Sequence, residues 1–455
     1  MAQFFKPVRT NKKINHVIKH CIIEQLDHQG RGMLFDENKP LFVDGALIGE
    51  IVDVMIVEDK KRYKKGRIVK IHQKSELRIE PLCQHYQECG GCHLQHVEQS
   101  TQINIKQEGL ISLFERFARY RPEVLQPALI GSAWHYRRCA RLGVMFNKKT
   151  KQVEMGFRRS ASKELIDQKV CPVLTANLEK LITPLQLLLN QLQGKSALGH
   201  IELVEADQGM VVLLRHLKPL SPHDVELILT FAVQQNVHFF VQSSPTTIKC
   251  LTEATLLTYS LSGQACQFEF HVDDFLQVNA SINEKMVAQA IQWLSLRDTD
   301  RVLDLFCGLG NFTLPIAKQV QSVVGIEGVD KMVSRGVSNA VRCQLSNVQF
   351  YQADLSDLNA LKADWAKQAF DKVLLDPARA GAAECMLFII SKQPTHIVYV
   401  SCDPVTLARD SSQLLAQGYQ LEKLGLIDMF PQTAHMESMA LFIKKVSVNK
   451  QTGTL

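Results

Sequence analysis

Residues 15–74 alternate short apolar segments with polar turns, a pattern that predicts β-strands. The predicted strands are Asn15–Gln25, Gly32–Phe35, Pro40–Val43, Gly49–Val57 and Lys65–Ile71. Five short strands in so small a space favour a closed β-barrel of the OB type. Barrels of that type frequently bind nucleic acid.

The segment from 76 to 270 shows both helical and strand periodicity, which predicts an α+β domain. Helices are expected at Gln95–Tyr120, Leu178–Leu192 and Pro222–Gln234. The expected strands are Tyr136–Phe146, Val153–Phe157, His200–Ala206, Gly209–His216, Val237–Gln242 and Cys266–Val272.

From about residue 275 the pattern becomes a regular alternation of apolar strands and helices. The strands are expected at Arg301–Phe306, Ser322–Ile326, Val348–Gln352, Lys372–Leu375, His396–Ser401, Tyr419–Met429 and Met439–Lys445. Helices between the first five predict a doubly wound parallel sheet covered on both faces. The short loop before the last strand predicts an antiparallel ending. Three domains follow, at 12–75, 76–270 and 271–447, with a frayed tail at 448–455.

Composition restricts what the cysteines can do. The 455 residues are 46% apolar and 22% charged, typical of a soluble protein of several domains. No apolar run has the length of a membrane span, and Met1–Pro7 lacks the apolar stretch of a signal peptide. A cytoplasmic protein without a membrane partner is therefore expected. There, the twelve cysteines favour metal binding, catalysis or burial over disulfides.

Positive charge is concentrated at the start of the chain. The net charge is +6, and residues 1–75 contain 15 Lys and Arg against 9 Asp and Glu, so the remainder nets to zero. The densest basic run is Lys60–Arg67, with Tyr63 inside it. A solvated hairpin loop and a nucleic-acid surface both fit the run itself. Concentration of the charge in one domain favours a polyanionic partner.

Four cysteines have the spacing of metal ligands. Cys83, Cys89 and Cys92 lie within ten residues, and Cys171 follows downstream. Thiolates at this density suit an iron–sulfur cluster or a zinc ion, and the spacing does not decide between them. The Gly-Gly pair between Cys89 and Cys92 permits a tight turn, so both sulfurs can face one centre.

The strand at Val302–Phe306 ends in the turn Cys307-Gly308-Leu309-Gly310, which opens a helix. Carboxylates follow at the ends of the next two strands, as Glu327 and Asp354. This arrangement resembles the class I S-adenosylmethionine-dependent methyltransferases. The resemblance implies that the glycines approach the amino-acid moiety, Glu327 binds the ribose and Asp354 lies by the adenine. A nicotinamide Rossmann domain fits less well, because its third glycine is absent.

A cysteine stands at the end of the fifth strand of this predicted sheet. Cys402 precedes Pro404, a favoured first helical residue, so the thiol is expected near a helix N-terminus and biased toward the thiolate. Burial is the common fate of a free cysteine. However, Asp376 ends the fourth strand and Glu437 comes just before the last, which predicts that the three side chains converge on one pocket.

Taken together, these motifs resemble the RNA uracil-C5 methyltransferases, and within them the bacterial 23S rRNA branch with a TRAM domain and a [4Fe-4S] cluster. The matching residues are the four cysteines, Phe275–Asn279, Asp304–Thr313, Asp376–Gly381, Ser401–Pro404 and His435–Ser438. Asp376-Pro377-Ala378 replaces the double proline common in related methyltransferases. The resemblance extends over all three predicted domains.

The resemblance implies a role for each site residue. C5 of uracil is a poor nucleophile until a thiolate adds at C6, so Cys402 is the expected nucleophile and Glu437 the base that removes the C5 proton. Gln277 and Asp376 are expected around the methyl donor and the target base. Phe306 and Asn311 are expected at the methionine end.

The expected partner is 23S rRNA, with a flipped-out uridine, and neither DNA binding nor oligomerisation is expected. His135–Arg138 offers an aromatic ring beside two guanidinium groups, suited to single-stranded RNA, although an ordinary strand fits equally well. Rival hypotheses are tRNA uracil-C5 methylation, an RNA methylthiotransferase and a non-catalytic RNA-binding iron–sulfur protein.

Overall fold

The structure is a computed structural model that describes residues 16–444. The start of the predicted barrel domain, Lys445 and the predicted tail lie outside the described residues. The chain forms two compact units. One comprises residues up to Pro81 together with His93–Gly109, and the other comprises Leu82–Cys92 and the chain from Leu110 onward.

The first unit contains a six-stranded sheet with the order β1-β5-β6-β4-β3-β2. Its strands are β1 (Val17–Ile22), β2 (Gln25–Leu26), β3 (Gly32–Asp36), β4 (Lys39–Asp44), β5 (Ile51–Asp59) and β6 (Lys64–Gln73). One apolar cluster draws residues from β1, β3, β4 and β5. A single sheet that encloses its own core is a barrel, as the turn pattern predicts. The first predicted strand is divided, because the chain turns between β1 and β2.

The segment after the barrel is helical and then mixed. Helix α1 (Gln99–Leu113) continues into a π-helical turn at Phe114–Ala118, so the predicted helix is shorter at both ends. The next strands are β7 (Gln126–Leu129), β8 (Cys139–Asn147), β9 (Gln152–Gly156), β10 (Leu198–Ala206), β11 (Gly209–His216), β12 (Val237–Ser244), β13 (Thr247–Cys250), β14 (Thr258–Leu261) and β15 (Cys266–Glu269). Helices α2 (Ala176–Gln191) and α3 (Pro222–Gln235) lie among them.

Strands β8–β13 form a second six-stranded sheet, with the order β13-β12-β11-β10-β8-β9. Alternate residues of β11 face different cores. Val212 and Leu214 pack in the cluster with α2 and α3, whereas Val211 and Leu213 join a cluster that reaches into the C-terminal domain. The central sheet therefore shares a core with the domain that follows it.

The third sheet has the order β18-β17-β16-β19-β20-β22-β21-β7. Its new strands are β16 (Arg301–Leu305), β17 (Ser322–Glu327), β18 (Val348–Gln352), β19 (Lys372–Leu375), β20 (His396–Ser401), β21 (Tyr419–Ile427) and β22 (Glu437–Lys444). Its helices are α4 (Ala280–Leu294), α5 (Thr313–Ala317), α6 (Asp330–Arg342), α7 (Asp364–Lys367), α8 (Ala383–Lys392) and α9 (Pro404–Ala416).

Strands β16–β20 are parallel to one another, and β22 runs antiparallel between β20 and β21, which confirms the predicted ending. Helices cover both faces: Val398 and Val400 of β20 join one core, and Ile397 and Tyr399 join another. The carboxyl ends of the parallel strands therefore share one edge, and the loops that follow them meet there.

The sequence analysis missed three short strands, β7, β13 and β14. Strand β7 is notable because it lies far upstream of the third sheet in sequence, yet pairs with its edge strand β21. Four residues give too little alternation to be recognised. Within the described part of the chain, no helix is both long and apolar enough to cross a bilayer.

Candidate active site

The turn after β16 is built for close approach of a ligand. Phe306, Gly308 and Gly310 all have positive φ, at 62°, 57° and 91°, so the backbone folds back on itself directly after the strand. Behind it lies the buried Asp304, which accepts a hydrogen bond of 2.5 Å from the Thr313 hydroxyl. Burial raises the pKa of Asp304 to about 7. The predicted glycine turn is therefore present, with a buried acid bracing it.

Glu327 is the last residue of β17 and holds the turn from the side. One carboxylate oxygen accepts from the Gly308 N–H at 3.1 Å, and the other accepts from the Val329 N–H at 2.9 Å. Each oxygen retains a further lone pair. The carboxylate is therefore fixed at the mouth of the turn and can still accept other donors.

Asn311 follows the turn in a network of amides. It exchanges two hydrogen bonds with the buried Asn283 of α4, at 2.9 and 3.0 Å, and accepts a third from the Tyr259 hydroxyl at 3.1 Å. The Arg138 guanidinium lies over the Tyr259 ring at 4.8 Å and donates to the Gln277 carbonyl at 2.8 Å. Asn311 and Gln277, two of the predicted site residues, are thus linked through the central domain.

Asp354 is exposed and lies two residues beyond β18. Its carboxylate accepts from the Ser356 N–H and hydroxyl at 2.9 and 2.7 Å, and these bonds lower its pKa. The structure places Asp354 at the correct edge of the sheet. These two bonds are local and do not join Asp354 to the other predicted site residues.

Cys402, Asp376 and Glu437 do converge. Cys402 is half-buried after β20, and burial followed by the charges of Glu437 and Asp376 raises its pKa to about 11. The buried Glu437 is the first residue of β22, and burial together with Asp376 raises its pKa to about 8. Burial also raises the pKa of Asp376 to about 7. The predicted cluster is present.

The helix N-terminus does not favour the thiolate in the free protein. Helix α9 begins at Pro404 as predicted, and the Asp403 carboxylate caps it by accepting from the Val405 and Thr406 N–H groups. The expectation that this position lowers the pKa of Cys402 was wrong. Burial and the charges of Glu437 and Asp376 raise the pKa of Cys402 more than Arg379 and a backbone hydrogen bond lower it.

The loop after β19 is held by a buried carboxylate that sequence reasoning missed. Asp410 of α9 is buried, and one oxygen accepts from the Ala382 N–H and from the Tyr399 hydroxyl, both at 2.8 Å. Arg409 donates to its other oxygen at 2.7 Å and to the Ala380 carbonyl at 2.9 Å. This network fixes the far end of the loop that begins at Asp376. An aspartate inside an amphipathic helix gives no sequence signal of such a role.

The four predicted metal ligands also come together. The thiolate charges of Cys92 and Cys83 act on Cys171, and that of Cys83 acts on Cys89, so the four cysteines lie in one region of the structure. Burial raises the pKa of Cys171 to about 12, and also raises the pKa of Cys83 and of Cys89. Thiols so placed become ligands only when a metal displaces their protons.

Backbone N–H groups are directed at these sulfurs. Cys83 accepts from the His85 N–H, Cys89 from the Gly91 N–H, and Cys171 from the Val173 and Leu174 N–H groups. Such bonds stabilise thiolate charge. The early cysteine loop is attached to the central domain through a bridge between Cys89 and Arg159 and a hydrogen bond from the Gly90 N–H to the Arg158 carbonyl. The donor set therefore suits a thiolate-ligated metal centre.

The segment His135–Arg138 is mainly structural. Tyr136 is buried and its hydroxyl donates to the Pro431 carbonyl at 3.0 Å, and Arg138 is also buried. Arg137 donates to the Cys139 carbonyl at 2.9 Å. The expectation that the ring and both guanidinium groups face RNA was wrong for Tyr136 and Arg138, because packing against the C-terminal domain buries them.

The basic run on the barrel is partly neutralised. Lys64 is buried and pairs with Asp36 and Glu37 at 2.7 Å, and Lys60 and Lys65 both pair with Glu58. The exposed basic residues of this run include Lys61, Arg62 and Arg67. The surface available to a polyanion is therefore smaller than the sequence suggests.

Two family models match the chain. The model described as tRNA (Uracil-5-)-methyltransferase matches residues 98–445, and the TRAM domain model matches residues 21–69. The chain belongs to the tRNA (uracil-5-)-methyltransferase family. The family assignment makes the protein a methyltransferase and identifies the barrel as a TRAM domain.

Relatives in this family match over the full length. The 23S rRNA (uracil(1939)-C(5))-methyltransferase RlmD of Psychromonas ingrahamii is 60% identical, covering 97% of this chain and 100% of that protein. The protein of the same name from Shewanella sediminis is 48% identical, covering 97% and 99%.

A solved member of the fold matches as well. The tRNA (uracil-54, C5)-methyltransferase of Pyrococcus abyssi, in complex with S-adenosyl-L-homocysteine, superposes with a TM-score of 0.71. The superposition covers 93% of this chain and 100% of the Pyrococcus abyssi chain, at 20% sequence identity. At that identity the likeness establishes the fold alone, which is the α/β fold expected from the sequence.

Proposed function

We propose that this chain is a 23S rRNA (uracil-C5)-methyltransferase that transfers a methyl group from S-adenosylmethionine to C5 of a uridine. The observation that carries the proposal is the cluster of Cys402, Glu437 and Asp376 at the carboxyl edge of the third sheet. Full-length similarity to rRNA enzymes at 60% identity favours rRNA over tRNA as substrate. The names of these relatives specify uracil 1939, which suggests the equivalent uridine as the target.

Cys402 is the nucleophile in this proposal. Its sulfur adds to C6 of the flipped-out uracil, and the ring electrons shift so that C5 becomes nucleophilic. When bound, S-adenosylmethionine supplies an electrophilic methyl group on a sulfonium whose charge favours the ionised forms of Cys402 and Glu437. With a pKa of about 11, the Cys402 thiol is protonated in the free protein, so its proton must pass to solvent before the sulfur adds to C6.

Glu437 is the base in this proposal. As a carboxylate it takes the proton from C5 after methylation, and the bond from Cys402 to C6 then breaks to give 5-methyluridine and free enzyme. A carboxylate with a pKa raised to about 8 is a stronger base than an ordinary glutamate. Asp376 lies beside both groups, and we propose that it binds the uracil edge. Its charge would also keep Cys402 and Glu437 protonated until the cofactor binds.

The methyl donor is proposed to bind along the edges of β16, β17 and β18. Glu327 would accept the ribose hydroxyls through its remaining lone pairs, and Asp354 would lie by the adenine. Phe306, Asn311 and Gln277 would surround the methionine end. The positive φ of Phe306 supports this, because it folds the backbone sharply at the end of β16.

Cys83, Cys89, Cys92 and Cys171 are proposed to hold a [4Fe-4S] cluster with a structural role. The four sulfurs and their N–H donors fit thiolate ligation, and zinc remains the rival occupant. Iron and sulfide analysis of anoxically purified protein separates the two. We expect about four irons and four sulfides per chain, whereas stoichiometric zinc without sulfide would contradict the cluster.

RNA recognition is proposed to use the TRAM barrel at 12–75 with the central domain at 76–270, leaving 271–447 for catalysis. Exposed Lys61, Arg62 and Arg67 are the proposed phosphate contacts. An rRNA substrate implies a cytoplasmic enzyme. We further propose that it acts as a monomer, without DNA or membrane partners.

The decisive experiment compares substrates. Labelled S-adenosylmethionine is incubated with the purified protein and either 23S rRNA or tRNA from strains lacking their own uracil-C5 methylation. We expect label in 23S rRNA as 5-methyluridine, and no label with Cys402→Ala although that variant still binds the cofactor. Label in tRNA alone would favour the rival substrate, and no transfer to either RNA would favour a non-catalytic protein.

A further inference from the structure

Three polar side chains with metal-ligating atoms meet on the TRAM barrel, separate from the cysteine ligands. His20 lies on β1, Asp53 on β5 and His72 on β6, which are adjacent strands of the sheet. One ligand atom from each lies within 4.8 Å of the other two. His72 Nε2 is 2.9 Å from Asp53 Oδ1, and the two imidazole rings stack with centroids 4.3 Å apart.

Both histidines occupy irregular positions in their strands. In β1, Lys19 and His20 together face the single residue Asp53, which is the geometry of a bulge. In β6, His72 is the extra residue between two that pair with consecutive residues of β5. Bulges redirect side chains and frequently adjoin functional sites. Two of them bring imidazoles to the same carboxylate.

The backbone of His20 is strained to achieve this. Its φ is 54°, in the left-handed region that a non-glycine residue rarely adopts. Its N–H donates to Asp53 Oδ1 at 2.9 Å, which stabilises the unusual conformation. Strain of this kind persists where the surroundings over-determine it and clusters at ligand sites.

Two imidazoles and one carboxylate are a preferred ligand set for zinc and related divalent ions. A tetrahedral zinc site needs ligand atoms about 3.3–3.6 Å apart, given metal–ligand bonds of about 2.0–2.2 Å. The observed ligand atoms all lie within 4.8 Å of one another, and His20 and His72 are both exposed residues. A hydrogen-bonded His–Asp pair with a second ring stacked on it is the alternative.

We propose that His20, Asp53 and His72 bind one divalent transition-metal ion, with zinc as the best chemical match. Three protein ligands leave at least one coordination position open to water or another ligand. The site is exposed, and its ligands come from strands rather than loops.

Zinc binding to the full-length, cluster-loaded protein tests the proposal. After removal of loose metal, ZnCl₂ is titrated by equilibrium dialysis with metal analysis. Wild type should bind one equivalent more than the His20→Ala/His72→Ala double variant. His16→Ala, which removes an exposed histidine of the same barrel, should behave as wild type. Equal zinc uptake by wild type and the double variant would overturn the proposal.

Two further measurements keep the result interpretable if the double variant folds poorly. Asp53→Asn preserves the shape of the side chain, and we expect at least a tenfold loss of zinc affinity from it. Co²⁺ should give the visible bands of nitrogen and oxygen ligands in wild type, without the near-ultraviolet thiolate band. Unchanged affinity in Asp53→Asn, or a thiolate band that accounts for all bound cobalt, would contradict the site.

Discussion

Replacing Glu437 by Gln should stabilise the folded protein at neutral and alkaline pH. The buried carboxyl has its pKa raised to about 8 by burial and by Asp376, against 4.5 ordinarily. As pH rises above 4.5, the unfolded chain loses its Glu437 proton first, so wild type loses stability until pH reaches about 8. Glutamine does not ionise, so the variant does not lose folding stability in this pH range.

The size of the effect follows from the pH interval. Each pH unit between the two pKa values costs about 1.4 kcal/mol, so the carboxyl of Glu437 should destabilise wild type by about 3 kcal/mol at pH 7. In a domain of this size that corresponds to about 6–12 °C in apparent Tm. At pH 4.5 and below, wild type and Glu437→Gln should melt together.

Thermal unfolding of wild type and Glu437→Gln from pH 4.5 to 8.5 provides the assay. Glu422→Gln is the matched control, because Glu422 is an exposed carboxylate on the neighbouring strand β21. Its melting should follow wild type at every pH. A Glu437→Gln protein that melts at or below wild type at pH 8 would refute the view that this acid is buried at an energetic cost.

Three further predictions concern the supports of the site. Asp410→Asn should lower kcat roughly 10–100-fold with little change in cofactor affinity, because it loosens the loop that starts at Asp376; unchanged kcat would contradict this positioning role. The Lys61→Ala/Arg62→Ala variant should bind RNA with a weaker salt dependence. The slope of the logarithm of the binding constant against the logarithm of the salt concentration should become shallower by about 0.7 for each lost phosphate contact. Lys64→Ala should leave this slope unchanged and lower the Tm. Cys171→Ser should lose bound iron and sulfide and melt at lower temperature; full iron content would exclude Cys171 as a ligand.

Much of the fold could be predicted, because its signals are local. Apolar strands alternating with helices specified the C-terminal sheet, and the turn after β16 has the glycines that its positive φ values require. Strand β7 could not be predicted. Its four residues pair with β21 across about 300 intervening positions, so only tertiary packing determines where it lies.

The candidate site, too, could be predicted from the sequence only in part. Convergence of Cys402 with Glu437 follows from strand order, since the carboxyl end of β20 lies beside the amino end of the antiparallel β22. The sequence does not predict that Cys402 and Glu437 are protonated in the free protein, because their pKa values depend on how deeply each group is buried. The same limit applies to Arg138, whose sequence context suggested RNA contact but whose guanidinium lies over the Tyr259 ring.

Trapping with a substrate analogue tests the central claim most directly. RNA containing 5-fluorouridine at the target position carries fluorine where the base must remove a proton, so addition and methylation should proceed and elimination should stop. Incubation with wild type and methyl donor should give a 1:1 complex stable to denaturation, with the RNA attached to the peptide containing Cys402. No covalent complex, or one attached to a different residue, would contradict the account.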